Sequence, residues 1–138
     1  MKFSSDSHNR AVRSIAQLME VKLIELENLL RIPDHQKPIS MMWVNDLTTE
    51  EVRLIKQTIQ ELFGVLVQFR DHYEIKPVEI SLKRDITFKT ALLWQEISGA
   101  TGKNMEGYGS LDKGLKKEFE EYTSRMSALV NTLYQVSN

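Results

Sequence analysis

The sequence predicts an all-α fold: a single domain over residues 1–138, an antiparallel up-down four-helix bundle with two long loops at one end. Three observations carry this. Leu115, Phe119, Tyr122, Met126, Leu129, Leu133 and Val136 recur at alternating steps of four and three, and no Gly or Pro interrupts them. That spacing draws one apolar strip along a helix, with Lys116, Lys117, Glu118, Glu120, Glu121, Ser124 and Arg125 supplying a solvated back. Three further stretches repeat at helical period. Finally, no helix can bury its own strip, so four such helices need one another.

Size and charge bound the rest. A chain of 138 residues fits one core, able to bury roughly two thirds of the unfolded surface. There is no Cys, hence no disulfide, thiolate nucleophile or Cys-based zinc site. Net charge is −1, from 18 basic and 19 acidic residues mixed along the chain. A nucleic-acid binder would show a basic excess on one face, and none is visible. Met1 to Arg10 holds no apolar core of signal-peptide length. The longest nearly unbroken apolar run, Leu62 to Phe69, falls far short of the roughly 20 residues of a membrane helix. The expectation is a soluble, cytoplasmic chain without a membrane segment.

The first helix should run from about Asp6 to Arg31, capped by Ser5, Asp6 or Ser7. Its strip is Val12, Ile15, Met19, Leu23, Leu26 and Leu30. Pro33 should stop it, because the residue before a proline is pushed out of the α region. Residues 32–47 form a long connection in which Pro33 and Pro38 exclude a continuous helix. Ile39, Met41, Met42, Trp43 and Val44 are too apolar for a solvated loop and should be covered.

The second helix has the clearest start. Thr48 followed by Glu51 is a capping box, with Leu47 and Val52 placed as a hydrophobic staple. Its strip continues through Ile55, Ile59, Leu62, Leu66, Phe69 and Tyr73. Gly64 interrupts it and offers room for a neighbouring helix to approach. For the third helix, Pro77 at the first helical position is favoured over a start capped by Ser81. The body carries Leu82, Ile86, Leu93 and Ile97, with Trp94 beside the strip and Gly99 as the stop. A Gly-rich connection spans residues 99–110, and the fourth helix begins near Asp112. In an up-down bundle the first and third connections share one end, so Trp43 and Tyr108 should face each other.

No catalytic constellation emerges. Gly99-Ala100-Thr101-Gly102-Lys103-Asn104 resembles a phosphate loop only superficially. Ile97 stands at the first glycine's position, Asn104 replaces the hydroxyl residue, and a helix rather than a strand precedes it. His8, His35 and His72 form no Glu-x-x-His or His-x-x-x-His pair, so no metal is implied. His72 reads as a favourable charge at a helix C-terminus. Glu50/Glu51 and Glu120/Glu121 are adjacent residues that point about 100° apart on a helix, so neither is an acid–base dyad. Lys83 and Arg84 oppose the helix dipole if Ser81 caps the third helix, which would mark an anion site; a start at Pro77 removes the anomaly.

The sequence therefore points to a non-enzymatic protein-interaction module, binding a protein partner or a second copy of itself, with no cofactor. The alternative is a small-ligand or anion-binding bundle with its site between loops 32–47 and 99–110. Its candidate groups are Trp43, Trp94, Lys103, Asn104, Glu106 and Tyr108. Loops on a rigid scaffold carry most binding groups, which places these residues first.

Overall fold

The computed structural model describes residues 5–32 and 39–138. Pro33, the expected stop of the first helix, lies outside the described residues, as do His35 and Pro38. Five helices form: α1 (Asp6–Leu30), α2 (Thr49–His72), α3 (Leu82–Gly99), α4 (Gly102–Glu106) and α5 (Lys113–Ser137). No strand occurs among the described residues. The chain falls into two compact units, Met1–Pro77 and Val78–Asn138.

In the first unit α1 packs on α2. Ser5 caps α1 through its side chain, which accepts the His8 N–H. Val12, Ala16 and Leu23 are the buried face of α1, and Ile59, 3% exposed, is its counterpart on α2. The α2 strip turns toward this contact: Ile55, Leu66, Phe69 and Tyr73 are half-buried. The capping box forms as the sequence predicts. Thr48 Oγ1 accepts the Glu51 N–H at 3.1 Å, and Glu51 Oε1 accepts the Thr48 N–H at 2.9 Å. Gly64 does not mediate a close approach; a Cβ there would meet nothing within 4 Å.

The end of α2 was not foreseeable from glycine placement. Glu74 has φ +53°, the left-handed region. Its N–H donates to Asp71 O and the Ile75 N–H donates to Arg70 O at 2.9 Å. That pair of bonds is a Schellman ending, normally built on glycine. His72 sits in the last turn as expected, edge-on to the Tyr73 ring.

The second unit pairs α3 with α5, and α4 rests on α5. Thr87 near the start of α3 meets Ser137 at the end of α5, while Gly102 of α4 meets Lys116 and Glu120 near the α5 start. The two long helices are therefore antiparallel. The third helix begins at Leu82 with Ser81 as its cap, whose Oγ accepts the Arg84 N–H at 3.2 Å. This corrects the longer helix expected from Pro77: a side chain that satisfies an orphan N–H outweighs proline's preference for the first position. Residues 99–110 are likewise more than a connection, since α4 occupies 102–106 with Thr101 as its cap.

The largest departure lies on α5. Its expected strip should be core, yet Phe119 alone of that set is half-buried. Leu115, Tyr122, Met126 and Leu133 are exposed, Leu129 is 67% exposed and Val136 77%. The face against α3 is instead Thr123 and Ser137, with Lys116, Ser127 and Val130 half-buried. On α3 the matching face is Thr90, with Thr87 and Ile97. Small side chains let two helices come close, and their hydroxyls find backbone partners: Thr123 Oγ1 donates to Glu120 O at 3.2 Å. The apolar strip is left about 90° round the helix from that contact.

Candidate functional site

The six candidate binding residues divide between the units. Trp43, in the first, lies in extended chain before α2 and is 60% exposed. Its neighbours Ile39, Met41, Met42 and Val44 are exposed too, against the expectation that they would be covered. The chain here is shaped by polar contacts: Asn45 Oδ1 accepts the Leu47 N–H at 3.1 Å, leading straight into the Thr48 cap.

The other five lie in the second unit, and α4 organises three of them. Thr101 Oγ1 accepts the Asn104 N–H at 3.0 Å. Asn104 Nδ2 donates to Gly99 O at 2.6 Å, satisfying a carbonyl at the end of α3. Glu106 pairs with Lys116 of α5 at 3.2 Å. Asn104 and Glu106 thus hold α4 between α3 and α5 rather than pointing at a ligand. Gly102 makes the seat possible. A Cβ there would lie 2.5 Å from Glu120 Oε1 and 2.7 Å from Lys116 Cγ. Lys103, on the last turn of α4, has no such role. Tyr108 is 91% exposed, next to Gly109 at φ +142°. Trp94 is half exposed on α3.

Lys83 and Arg84 do occupy the first turn of α3, against its dipole. Asp85 stands in the same turn and pairs with Lys89 at 2.7 Å, which offsets part of that charge. The carboxylates Glu50 and Glu51 act locally. The Arg53 guanidinium holds Glu50 below its ordinary range. The Thr48 N–H, with help from the Thr48 hydroxyl, does the same for Glu51. No group of three metal-ligating side chains occurs among the described residues, and no helix of the described residues is long and apolar enough to cross a membrane.

What the geometry assembles instead is an apolar face. Leu82, Ile86 and Leu93 of α3 lie to one side of Thr90, as the α5 strip lies to one side of Thr123. Because both strips are offset in the same sense on antiparallel helices, at about 100° per residue, they fall on one side of the hairpin. All three α3 residues are exposed. Sequence periodicity located these residues but assigned them to the core. The signal that separates the two roles is the Thr87, Thr90, Thr123, Ser127 and Ser137 set at the same period one step round each helix. No protein-family model, curated protein or solved structure matches the chain.

Proposed function

We propose that this chain is a non-enzymatic protein-interaction module that acts in the cytoplasm. The open apolar face of the second unit carries the reading. Burying an exposed Leu, Met or Tyr is worth roughly 1.5–3 kcal/mol, and contiguous apolar patches of this kind mark association surfaces. An antiparallel arrangement of four long helices is the architecture this reading uses. Each hairpin is one two-helix layer with one apolar side, and a bundle of that class is two such layers face to face.

The test compares the parent with Tyr122→Lys/Leu129→Lys and with a control, Lys117→Ala, on the solvated back of α5. Each is cross-linked in the cells that make it and recovered. The seam variant should keep its helical circular dichroism and lose associated chains that the control retains. Equal recovery from all three would sink the reading.

A second reading draws on the exposure of Trp43 and Tyr108: a small-ligand or anion site at the connections 32–47 and 99–110, using Trp43, Trp94, Lys103 and Tyr108. Asn104 and Glu106 would support it only by holding α4. Tryptophan fluorescence titrated with inorganic phosphate and with small carboxylates decides it; a flat response at millimolar anion removes it.

A further inference from the structure

The geometry points to a second copy of this chain as the occupant of that face, pairing antiparallel so that α5 lies along the partner's α5. The inference rests on the interaction reading and names its partner.

The α5 strip alternates four and three throughout, a strict 3.5-residue repeat. That is the narrow seam of a coiled coil rather than the broad face of a globular helix. The same alternation runs along α2 from Val52 to Tyr73, and there it is turned into its own hairpin, with Ile59 buried at its centre. On α5 it is turned out. The flank of the α5 seam that carries Lys116, Thr123, Val130 and Ser137 is already taken by α3. The other flank carries Glu118, Arg125 and Thr132 and is open.

A symmetric pair needs the same patch to fit itself. When two α5 helices overlap along nearly all their length in opposite directions, Leu115 faces the partner's Leu133, Phe119 faces the partner's Leu129, and Tyr122 faces the partner's Met126. Each contact then occurs twice. A two-fold axis across the helices also lays α3 on its counterpart, so Leu82, Ile86 and Leu93 are covered in the same step. The product is a four-helix bundle drawn from two chains.

The area is sufficient. Side chains of this size, half or more exposed, each leave on the order of 100 Å² to water. Nine of them share this face, giving roughly 900 Å² per copy, against about 800 Å² per partner in a stable interface. Charge does not oppose the pairing. Glu118 meets the partner's Thr132, and the one like-charge contact is Arg125 with the partner's Arg125. The Arg125 guanidinium lies over its own Tyr122 ring at 5.7 Å. At an exposed rim that repulsion is screened and small beside the apolar layers. Added salt should therefore tighten the dimer slightly rather than loosen it.

Sedimentation velocity on the purified full chain, from about 1 to 100 μM, tests the proposal; concentrations in this range span the affinities of modest stable interfaces. The expected result is a dimer. Leu129→Lys should weaken it at least about 100-fold, the effect of about 2.8 kcal/mol at the centre of an interface, with unchanged helix content. The chain has no Cys, so introduced pairs report orientation cleanly. Leu115→Cys chains mixed with Leu133→Cys chains should oxidise to a cross-linked dimer, and Leu115→Cys alone should not. A monomer at every concentration overturns the proposal, as does a dimer indifferent to Leu129→Lys. Loss of helix in Leu129→Lys overturns it too, because the seam would then be covered within its own chain. Self-linking of Leu115→Cys overturns the antiparallel pairing. In the first two cases the interaction reading still stands or falls on whether seam variants lose their associated chains in cells.

Discussion

Thr87 Oγ1 lies 3.0 Å from Ser137 Oγ and 3.1 Å from the Ser137 carbonyl, joining the first half of α3 to the last turn of α5 across 50 residues of sequence. The same hydroxyl lies 3.0 Å from Lys83 O, so one hydrogen is shared among three acceptors and the site is never without a partner. It is the one side-chain hydrogen bond between the two long helices of the second unit among the described residues.

Thr87→Val keeps the shape of the side chain and removes the hydroxyl. The variant should lose roughly 1 kcal/mol, the usual net value of such a bond. Amide exchange over the last turn of α5 should accelerate, because its C-terminal carbonyls lose their tie. Thr87→Ser should recover most of both effects. Urea melts and hydrogen exchange on the three proteins check this; a Val variant as stable and protected as the parent would show that the contact is incidental.

Two glycines should respond with opposite signs. Gly64→Ala adds a methyl into open space inside a long helix, and should stabilise by roughly 0.5–1 kcal/mol from helix propensity alone. Gly102→Val places carbon where the Lys116 stem and the Glu120 carboxylate already stand, and should cost roughly 1–3 kcal/mol, the range of overpacking. It should also break the Lys116–Glu106 pair by displacing α4. Chemical melts give both signs directly.

These contrasts show what was legible in the sequence. Helix number, the Thr48 box, the Asp112 start and the all-α class follow from short-range signals: period, caps and the lack of breakers. Ser5 as the first cap follows in the same way. The face that α5 turns to α3 does not. Apolar period finds the strip that wants burial, but which neighbour buries it depends on tertiary fit, and here Thr and Ser pack closer than Leu can. Leu129 illustrates the consequence. A seam buried within the chain implies a loss of about 2–5 kcal/mol on truncation to Ala, whereas 67% exposure implies that Leu129→Ala costs the hairpin no more than about 0.5 kcal/mol. The candidate loop residues were readable as polar groups near glycines, but not as the scaffold of α4, since Asn104 reaches back five residues to Gly99.

The capping box makes a prediction about pH. Accepting the Thr48 N–H lowers the Glu51 pKa in the folded chain. A carboxyl whose folded pKa is depressed contributes stability above its unfolded pKa, and that contribution is lost as pH falls through the folded value. Thr48→Ala should cost roughly 1 kcal/mol near neutral pH. Glu51→Ala should also destabilise, and the two losses should not add, since both residues serve one box. The Glu51→Ala protein should lose stability less steeply than the parent below the ordinary glutamate range. Full additivity, or parallel acid limbs, would mean the box contributes nothing in solution.

The end of α2 carries a conformational cost that one substitution should remove. Glu74 holds φ +53°, where a side chain's Cβ crowds the following carbonyl at about 1–2 kcal/mol. The backbone stays there because the turn satisfies two carbonyls that α2 would otherwise leave bare: the Glu74 N–H reaches Asp71 O and the Ile75 N–H reaches Arg70 O. Glycine adopts this region without the penalty and is the common residue at such an ending. Glu74→Gly should therefore raise stability by roughly 1 kcal/mol, less whatever the glutamate side chain contributes and the extra freedom glycine brings to the unfolded chain. Glu74→Ala separates these terms, because it removes the side chain and keeps the Cβ. It should be no more stable than the parent. Thermal melts of the three proteins, with exchange rates at the Glu74 and Ile75 amides, give the answer. If Glu74→Ala and Glu74→Gly melt together, the left-handed turn is not what limits α2.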